Sequence, residues 1–472
     1  MAGDRKDKEV LPTGWLQRGA KIAGQTGKSA ARFIGTRAKV FASPERAQEF
    51  LDGFHQQTAK QLVDMLGEMK GAAMKVGQLA SFYEFAAPTE YLSTYKDALT
   101  MLQNSAPPMD PEASRQVIKE EFGGPPEEIF ATFDDNAIAA ASIGQVHKAT
   151  LHSGEEVAVK VQYPGVDEAV RSDLKNVSAM TKISVAIAPN IDPKEVANEV
   201  KDRVLEELDY RREASNQARF AELFDGHPFI VIPKVFPEFC RPRVITQEFI
   251  KGRPLTEAFA WEDQTKKDEL GEILWRFFFG SMNRFLLFSA DPHPGNYLLL
   301  PRGKVAFLDF GLVRAVDPGT LRLFTEMGQA LVADDREAGR SALEGMGVLN
   351  RRTPEVEAVW DHMKVINAPV LRDEPFTFTS EGVQSIASAG FDPRSNAFQT
   401  LRKVGIPGVL VTFNRMSFGL ASLLARLQAT ANWQALAREL WYGEPSKTAL
   451  GKKDQAWLKK AHPDVTPSAT SE

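Results

Sequence analysis

The spacing of hydrophobic residues changes from helical to alternating and back to helical along this chain. Leu62, Met65 and Leu66 recur at helical spacing, and this pattern continues through Ala80. It predicts a helical segment that starts near residue 45, with a further helix over about 89–103. Pro107 and Pro108 mark its end.

After these prolines, a stretch follows in which apolar and polar residues alternate. We expect a helix over about 111–122 that ends at Gly123, and then two strands, from Gln145 to Leu151 and from Glu156 to Val161. Their polar and apolar positions alternate around the turn 152–155.

Two helices and two further strands are predicted after this hairpin. The helices cover about 167–189 and 193–225, and the strands cover 230–235 and 243–249. Pro233 restricts the first strand to a sheet edge, because proline cannot donate to the ladder.

From Leu255 onward helices dominate, including a block over about 317–445, and the polar tail after Lys452 is expected to fray. A β-rich part followed by a helical part predicts an α+β fold with two lobes and a ligand cleft between them. We divide the chain into a basic segment, a helical extension, a β-rich lobe, a helical lobe and a polar tail: 1–44, 45–108, 109–252, 253–450 and 451–472.

Composition adds limits to this picture. The 472 residues carry a net charge of −5, so we expect no nucleic-acid partner, although the first 44 residues are locally basic. A single cysteine, Cys240, excludes an intrachain disulfide and favours a reducing cytoplasm. The start lacks the apolar core of a signal peptide, and no uncharged apolar run is long enough to predict a membrane span.

Two short motifs carry the chemistry. Residues 291–296 read Asp-Pro-His-Pro-Gly-Asn, and residues 309–311 read Asp-Phe-Gly. An Asp followed five residues later by an Asn, and then by Asp-Phe-Gly, is the arrangement with which protein kinases hold Mg²⁺ and transfer a phosphoryl group. Mg²⁺ prefers oxygen ligands and needs few from the protein. Asp291 is therefore the candidate proton acceptor, and Asn296 and Asp309 are the candidate metal ligands.

A lysine upstream suits the phosphates of a nucleotide. Lys160 ends the sequence Val-Ala-Val-Lys, and on a strand its side chain and that of Ala158 share one face. Alone, it could equally be an exposed lysine, but its order before Asp291 and Asp309 favours the nucleotide role. A buried lysine requires an acidic partner, and either Glu213 or Glu207 can provide it.

The loop expected to cover the phosphates is unusual. Where a kinase has three glycines, this chain has Ala139, Ala140, Ala141 and Ser142, and of the glycines only Gly144 remains. Because each Cβ restricts the backbone, we expect a stiffer loop with altered nucleotide handling, the alternative being a packing turn.

These motifs together resemble the UbiB/AarF family of atypical protein-kinase-like proteins. Lys75-Val76-Gly77-Gln78 is similar to its K-x-G-Q signature, and Glu207-Leu208-Asp209 is similar to its E-x-D motif. The alanine-rich loop and the three motifs above complete the set, and the resemblance covers about residues 45–430.

The resemblance implies a kinase-like fold whose N-terminal helical extension folds over the cleft. It implies ATP and Mg²⁺ as ligands, with ATP hydrolysis more readily seen than protein phosphorylation, and a link to isoprenoid quinones or lipids at membranes. The site roles it implies are Lys75 pointing into the cleft near Glu207, Gln78 nearby, Lys160 on phosphate with Glu213 as its partner, Asp291 as the catalytic Asp, and Asn296 and Asp309 on Mg²⁺.

Two departures from the family pattern change these expectations. Ser289 stands where the family commonly has His, so we expect altered support of the catalytic loop. The C-terminal tail has no apolar run, so contact with an anionic membrane would be peripheral and would involve residues 1–44. The alternatives are a nucleotide-binding scaffold without turnover, and a small-molecule phosphotransferase of the aminoglycoside or choline kinase type. Asp309-Phe310-Gly311 and Lys75 count against the second of these.

Overall fold

The structure, a computed structural model, describes residues 110–141, 143–168, 208–349, 356–391 and 408–465. The basic segment, the helical extension and residues 169–207 of the helices predicted over about 167–189 and 193–225 lie outside these residues, so those predictions stay predictions.

The β-rich lobe is built on one antiparallel sheet in the order β1-β2-β3-β5. Its strands are β1 (Thr132–Ala141), β2 (Gly144–Thr150), β3 (Glu156–Gln162) and β5 (Val244–Glu248). Val157, Val159 and Val161 of β3 are fully buried on one face, and Lys160 lies on the other face. The predicted division of β3 into a core face and a cleft face is thus confirmed.

Helix α1 (Pro111–Phe122) covers the core face of this sheet and buries Val117 and Ile118. Asp110 caps its first turn, and Gly123 ends it with φ +83°, as the sequence predicts. A short helix, α2 (Pro126–Ile129), leads into β1.

On the cleft side, α3 (Tyr210–Leu223) packs against β5. Asp209 caps its first turn by accepting a hydrogen bond from the Arg211 amide. The cap places Glu213 in that first turn, facing the sheet.

A second sheet, in the order β4-β9-β8-β6, forms the floor of the cleft. It contains β4 (Ile230–Val231), β6 (Arg253–Pro254), β8 (Tyr297–Leu300) and β9 (Lys304–Phe307). β4 is an edge strand, as Pro233 predicts, but it is two residues long rather than the six expected and pairs in parallel with β9.

Helices dominate the second lobe, as predicted. The long α4 (Gln264–Phe285) is buried along most of its length. A small antiparallel pair, β7 (Leu287–Ser289) with β10 (Val313–Ala315), follows it, and a second pair joins β11 (Phe376–Thr377) to β12 (Thr430–Ala431). The remaining helices are α5 (Pro318–Ala333), α6 (Arg336–Gly345), α7 (Val356–Ile366), α8 (Ser380–Phe391), α9 (Gly408–Leu427), α10 (Trp433–Trp441) and α11 (Ala449–Ala461).

The predicted fraying after Lys452 is wrong as far as Ala461. Thr448 caps α11, and Trp457 and Leu458 enter the main core of the helical lobe. Asp454 is completely buried, because its charge is balanced by arginines of α4. A polar composition concealed a helix whose charged residue points inward.

One described helix, α9, is long and apolar enough to cross a membrane by length and composition. A third of its most apolar window is buried. It packs against α4, and its Met416 and Leu420 are almost completely buried.

Candidate active site

Lys160 lies at the centre of a charged cluster in the cleft between the lobes. Its Nζ donates to both carboxylate oxygens of Glu213, at 2.8 and 3.0 Å, and contacts Oδ2 of Asp309 at 3.4 Å. The side chains of Lys160 and Glu213 are 14% and 7% exposed, whereas that of Asp309 is 29% exposed. Of the two acidic partners considered, the structure pairs Lys160 with Glu213.

The carboxylates keep this lysine charged. Burial opposes the charged form, but Asp309 and Glu213 outweigh it and raise the pKa of Lys160 well above its usual 10.5. The Tyr210 ring lies 5.0 Å from the same Nζ and adds a cation–π contact. Lys160 is therefore a permanent cation at the end of the cleft face of β3.

The alanine segment forms a strand, where a loop was expected. Ala139, Ala140 and Ala141 are the last ladder positions of β1 and pair with Val146, Gln145 and Gly144 of β2. The turn between the strands is thus very short, and its residue Ile143 is buried in a cluster that includes Tyr210. The segment is held by strand pairing and by the buried Ile143, and its expected stiffness stays a prediction.

Close packing against β3 requires glycine at position 144. A Cβ at this position would lie 2.1 Å from the carbonyl oxygen of Val161, so only glycine fits against β3. The single glycine left from the kinase pattern holds the hairpin close to the strand that carries Lys160.

Asn296 and Asp309 lie at the same end of the β8–β9 hairpin. Tyr297 pairs with Phe307, and the Leu308 amide donates to the carbonyl of Asn296 at 2.9 Å. Asn296 immediately precedes β8, and one residue, Leu308, separates β9 from Asp309, so the two candidate metal ligands come from adjacent backbone segments.

The Asp-Phe-Gly segment is fixed in an inward position. Oδ1 of Asp309 accepts from the Gly311 amide at 2.9 Å, and the Phe310 carbonyl accepts from Asn216 of α3 at 3.0 Å. The Phe310 ring is fully buried, 4.9 Å from the Phe220 ring. These contacts connect Asp309 to the helix that carries Glu213.

Asp291 follows β7 and lies beside the same segment, because the Ala290 amide donates to the carbonyl of Leu312 at 2.8 Å. Ser289, the departure from the family pattern, is the buried last residue of β7 and pairs with Val313. The Tyr297 hydroxyl donates to the backbone carbonyl of Asp291 at 3.4 Å. The structure thus brings Lys160, Asn296, Asp309 and Asp291 to one cleft.

One contact of Asp291 was missed by sequence reasoning. Arg415 of α9 donates from Nη2 to Oδ1 of Asp291 at 2.9 Å. The available signal was a charged residue in the middle of a mostly apolar helix, since such a residue requires a partner.

Four predicted site residues lie outside the part of the chain that the structure describes: Lys75, Gln78, Ser142 and Glu207. Their roles stay predictions.

The donors in the cleft suit Mg²⁺ better than a metal that needs many protein ligands. In the described ranges, no group of three or more His, Cys, Asp or Glu side chains is arranged for a metal. Mg²⁺ commonly takes one or two protein carboxylates and completes its shell with phosphate and water. Asp309, with an exposed fraction of its carboxylate, and Asn296 fit that requirement.

Comparison with known proteins agrees with this geometry. A family model described as the ABC1 atypical kinase-like domain matches residues 101–342, slightly more than half of the chain. The chain belongs to the ABC1, or UbiB/AarF, family of atypical kinase-like proteins.

Named relatives within the ABC1 family differ in length. An uncharacterized protein of Synechocystis sp. is 34% identical over 64% of this chain and 77% of its own length. A "Probable protein kinase UbiB" of Pseudomonas aeruginosa is 34% identical over 48% of this chain and 43% of its own. The protein "ACTIVITY OF BC1 COMPLEX KINASE 8, chloroplastic" of Arabidopsis thaliana is 30% identical over 62% and 39%. The chain thus spans less than half the length of these last two relatives.

The fold also matches an experimental structure in the collection of solved proteins. A complex of Rv3197 with erythromycin from Mycobacterium tuberculosis has a TM-score of 0.62 and 33% identity, covering 84% of this chain and all of that one. The predicted α+β, two-lobed kinase-like fold is therefore confirmed.

Proposed function

We propose that this ABC1-family protein binds ATP with Mg²⁺ in the cleft and transfers or hydrolyses its terminal phosphoryl group. The observation that supports this most strongly is the ion cluster of Lys160, Glu213 and Asp309. In a kinase-like site, a lysine held by a glutamate of this kind positions nucleotide phosphates, and an inward Asp of Asp-Phe-Gly faces the metal.

Each side chain has a distinct task in this proposal. Lys160 binds phosphate oxygens, Glu213 keeps its ammonium in place, and Asp309 with Asn296 would hold the metal. Mg²⁺, when bound, neutralises charge on the phosphates. Asp291 orients the attacking hydroxyl or water, and the loose transition state of phosphoryl transfer requires positioning more than a strong base.

The acceptor and the pathway are a second part of the proposal. The relative named as a UbiB kinase, together with the family resemblance, favours isoprenoid quinone or lipid metabolism, with the basic residues 1–44 on an anionic membrane surface in the cytoplasm. Lys75 and Gln78 would enter the cleft from the N-terminal extension and favour hydrolysis over protein phosphorylation.

The first prediction concerns Asp309→Asn. It removes a metal-facing charge and leaves the shape intact, so Mg-dependent ATP turnover should fall by about 100-fold or more. Phosphate release should be measured with the full-length chain, with and without vesicles that contain anionic phospholipid. Asp317→Asn, an exposed helix cap beyond the cleft, is the control.

Turnover in Asp309→Asn equal to that of the wild type would contradict the assignment. Nucleotide binding by calorimetry without turnover in any condition would instead favour a nucleotide-binding scaffold. Wild-type turnover that does not respond to anionic vesicles would contradict only the membrane part.

A further inference from the structure

Arg415 contacts the carboxylate of Asp291 from the side of the helical lobe. Its Nη2 donates to Oδ1 at 2.9 Å, and the two side chains are 26% and 23% exposed. The other carboxylate oxygen, Oδ2, accepts no hydrogen bond from any residue that the structure describes. Among the residues that the structure describes, Arg415 thus holds one oxygen of Asp291, and the other oxygen accepts no hydrogen bond.

The position of Arg415 is set by close packing of α9 on the catalytic loop. One turn after Arg415, a Cβ on Gly419 would lie 2.4 Å from the Pro292 ring, so glycine permits this approach. Met416 and Leu420 anchor the same helix in the core and are 0% and 1% exposed. Because backbone and side chain are both held, the guanidinium cannot move far from Asp291 without moving α9.

The Arg415–Asp291 pair differs from an ion pair on the surface in its partial burial and in its direction. Most residues of α9 are apolar, and a partly buried charge among them is costly unless a partner compensates. A charge-assisted hydrogen bond also has a defined direction. The contact therefore restricts rotation of the Asp291 carboxylate as well as balancing its charge.

We propose that Arg415 is a positioning residue for phosphoryl transfer, which holds Asp291 through Oδ1 so that Oδ2 points at the attacking hydroxyl or water. This inference rests on the proposed function and adds a residue from outside the kinase-like motifs. It also makes α9 part of the active site, because displacement of this helix would release the catalytic carboxylate.

The inference predicts different effects of Arg415 on kcat and on the KM for ATP. In the proposed function, Lys160 and Asp309 hold the nucleotide. Among the described side chains of the cleft cluster, Asp291 alone contacts Arg415. Loss of Arg415 should therefore lower kcat and leave the KM for ATP nearly unchanged. An interaction that orients a reacting group contributes to the transition state more than to ground-state binding.

The test compares Arg415→Gln and Arg415→Lys with Arg426→Gln in steady-state ATP hydrolysis. Arg426 lies on the same helix, with its guanidinium 3.9 Å from the Phe259 ring, and is a matched control for charge and helix propensity. We expect Arg415→Gln to lower kcat by about 10- to 100-fold with the KM for ATP within about twofold of wild type. Arg415→Lys should recover part of this loss, and Arg426→Gln should behave as wild type.

A double variant distinguishes positioning from a general structural role. Because Arg415 acts through Asp291, Asp291→Asn combined with Arg415→Gln should be no slower than Asp291→Asn alone. A structural defect would add its own loss and would also lower the melting temperature of Arg415→Gln relative to Arg426→Gln.

Each result has a defined meaning. If Arg415→Gln hydrolyses ATP at the same rate as an active wild type, the inference is overturned and the proposed function stands. A raised KM with unchanged kcat also overturns it and assigns Arg415 to nucleotide binding. Multiplicative losses in the double variant overturn it in favour of a structural role. Absence of turnover in the wild type overturns the proposed function, and this inference with it.

Discussion

Among the residues that the structure describes, the charged cluster in the cleft differs from a second charged cluster, which lies between α4 and α11, in how completely its side chains are buried and hydrogen-bonded. In the second cluster, which we call the C-terminal cluster, the members are Arg276, Arg284, Glu272, Glu439, Asp454 and His227. Each of these side chains is at most 9% exposed. In the cleft cluster, Asp309, Asp291 and Arg415 are each between 23% and 29% exposed.

Hydrogen bonding in the C-terminal cluster is nearly complete. Arg276 donates to Glu272, Glu439 and Asp454, and Arg284 donates to both oxygens of Asp454 at 2.8 and 2.7 Å. His227 accepts from the backbone amides of Phe229 and Ile230 at Nδ1, so its Nε2 donates to Asp454. Burial lowers the pKa of His227, which keeps it neutral and suited to this role.

The cleft cluster differs because Asp309, Asp291 and Arg415 are partly exposed to solvent. Its three carboxylates, Glu213, Asp309 and Asp291, face two cations, Lys160 and Arg415. The C-terminal cluster has the same ratio of carboxylates to arginines, so the difference between the clusters is exposure to solvent and not charge balance. Removal of one partner from a closed, buried ion cluster destabilises the fold, because it leaves a charge uncompensated, whereas an open cluster can bind a ligand.

The largest expected effect is the loss of the closed cluster in Asp454→Asn. Both hydrogen bonds of Arg284 end on Asp454, so this variant leaves a buried guanidinium without a carboxylate. The free energy of unfolding should fall by about 3–5 kcal/mol, measured by urea denaturation. Glu344→Gln, which removes an exposed i,i+4 pair with Arg340, should change it by less than about 0.5 kcal/mol.

The pH dependence of this effect has a definite sign. The arginines hold the pKa of Asp454 well below its usual 3.8, despite complete burial, which opposes its charge. A depressed folded-state pKa contributes stability above pH 3.8 that is lost only as the pH falls below it. The difference between wild type and Asp454→Asn should therefore be constant from pH 5 to pH 8, and a difference that disappears within that range would contradict this account.

The next effect is on activity rather than stability. Glu213→Gln removes the charge that holds Lys160, so kcat/KM for ATP should fall by about 10- to 100-fold, or about 1.4–2.8 kcal/mol of transition-state binding. The free energy of unfolding should change by less than about 1 kcal/mol, since Lys160 keeps its contact with Asp309. The measurements are ATP hydrolysis and urea denaturation of the same preparations.

Glu222→Gln is the control for this variant, because Glu222 lies on the same helix and is exposed. If Glu213→Gln instead unfolded like Asp454→Asn while retaining activity, the distinction between an open and a closed cluster would be wrong.

The sequence predicted the cleft cluster well and the C-terminal cluster not at all, for a physical reason. The cleft residues occur in short motifs whose spacing is tied to phosphoryl transfer, so Lys160, Asp291 and Asp309 were found one at a time. The C-terminal cluster joins Arg276 to Asp454 across 178 positions, and no local pattern marks either residue as buried. Its polar composition led instead to the wrong prediction of a frayed tail.

Arg415 lies between these cases. It belongs to no phosphoryl-transfer motif, yet its place in an apolar helix signals a buried partner without naming it. The partner becomes identifiable only when tertiary packing brings α9 against the catalytic loop. Local patterns thus identify the candidate ligand-binding side chains, and tertiary structure identifies the residues that contact them.

The smallest expected effect is on nucleotide affinity and concerns Ala140, at the edge of the cleft. Ala140 is exposed near the end of β1, paired with Gln145. Ala140→Gly removes a Cβ and loosens the strand by about 0.5–1 kcal/mol, so the Kd for Mg-ATP or Mg-ADP should change by about two- to fivefold. Ala137→Gly, at an irregular position farther from the turn, is the matched control and should leave both constants unchanged. Identical Kd values for wild type and Ala140→Gly in calorimetric titrations would show that the hairpin end does not contact phosphate. The nucleotide site would then consist of the lysine and the carboxylates of the cleft cluster without the hairpin end.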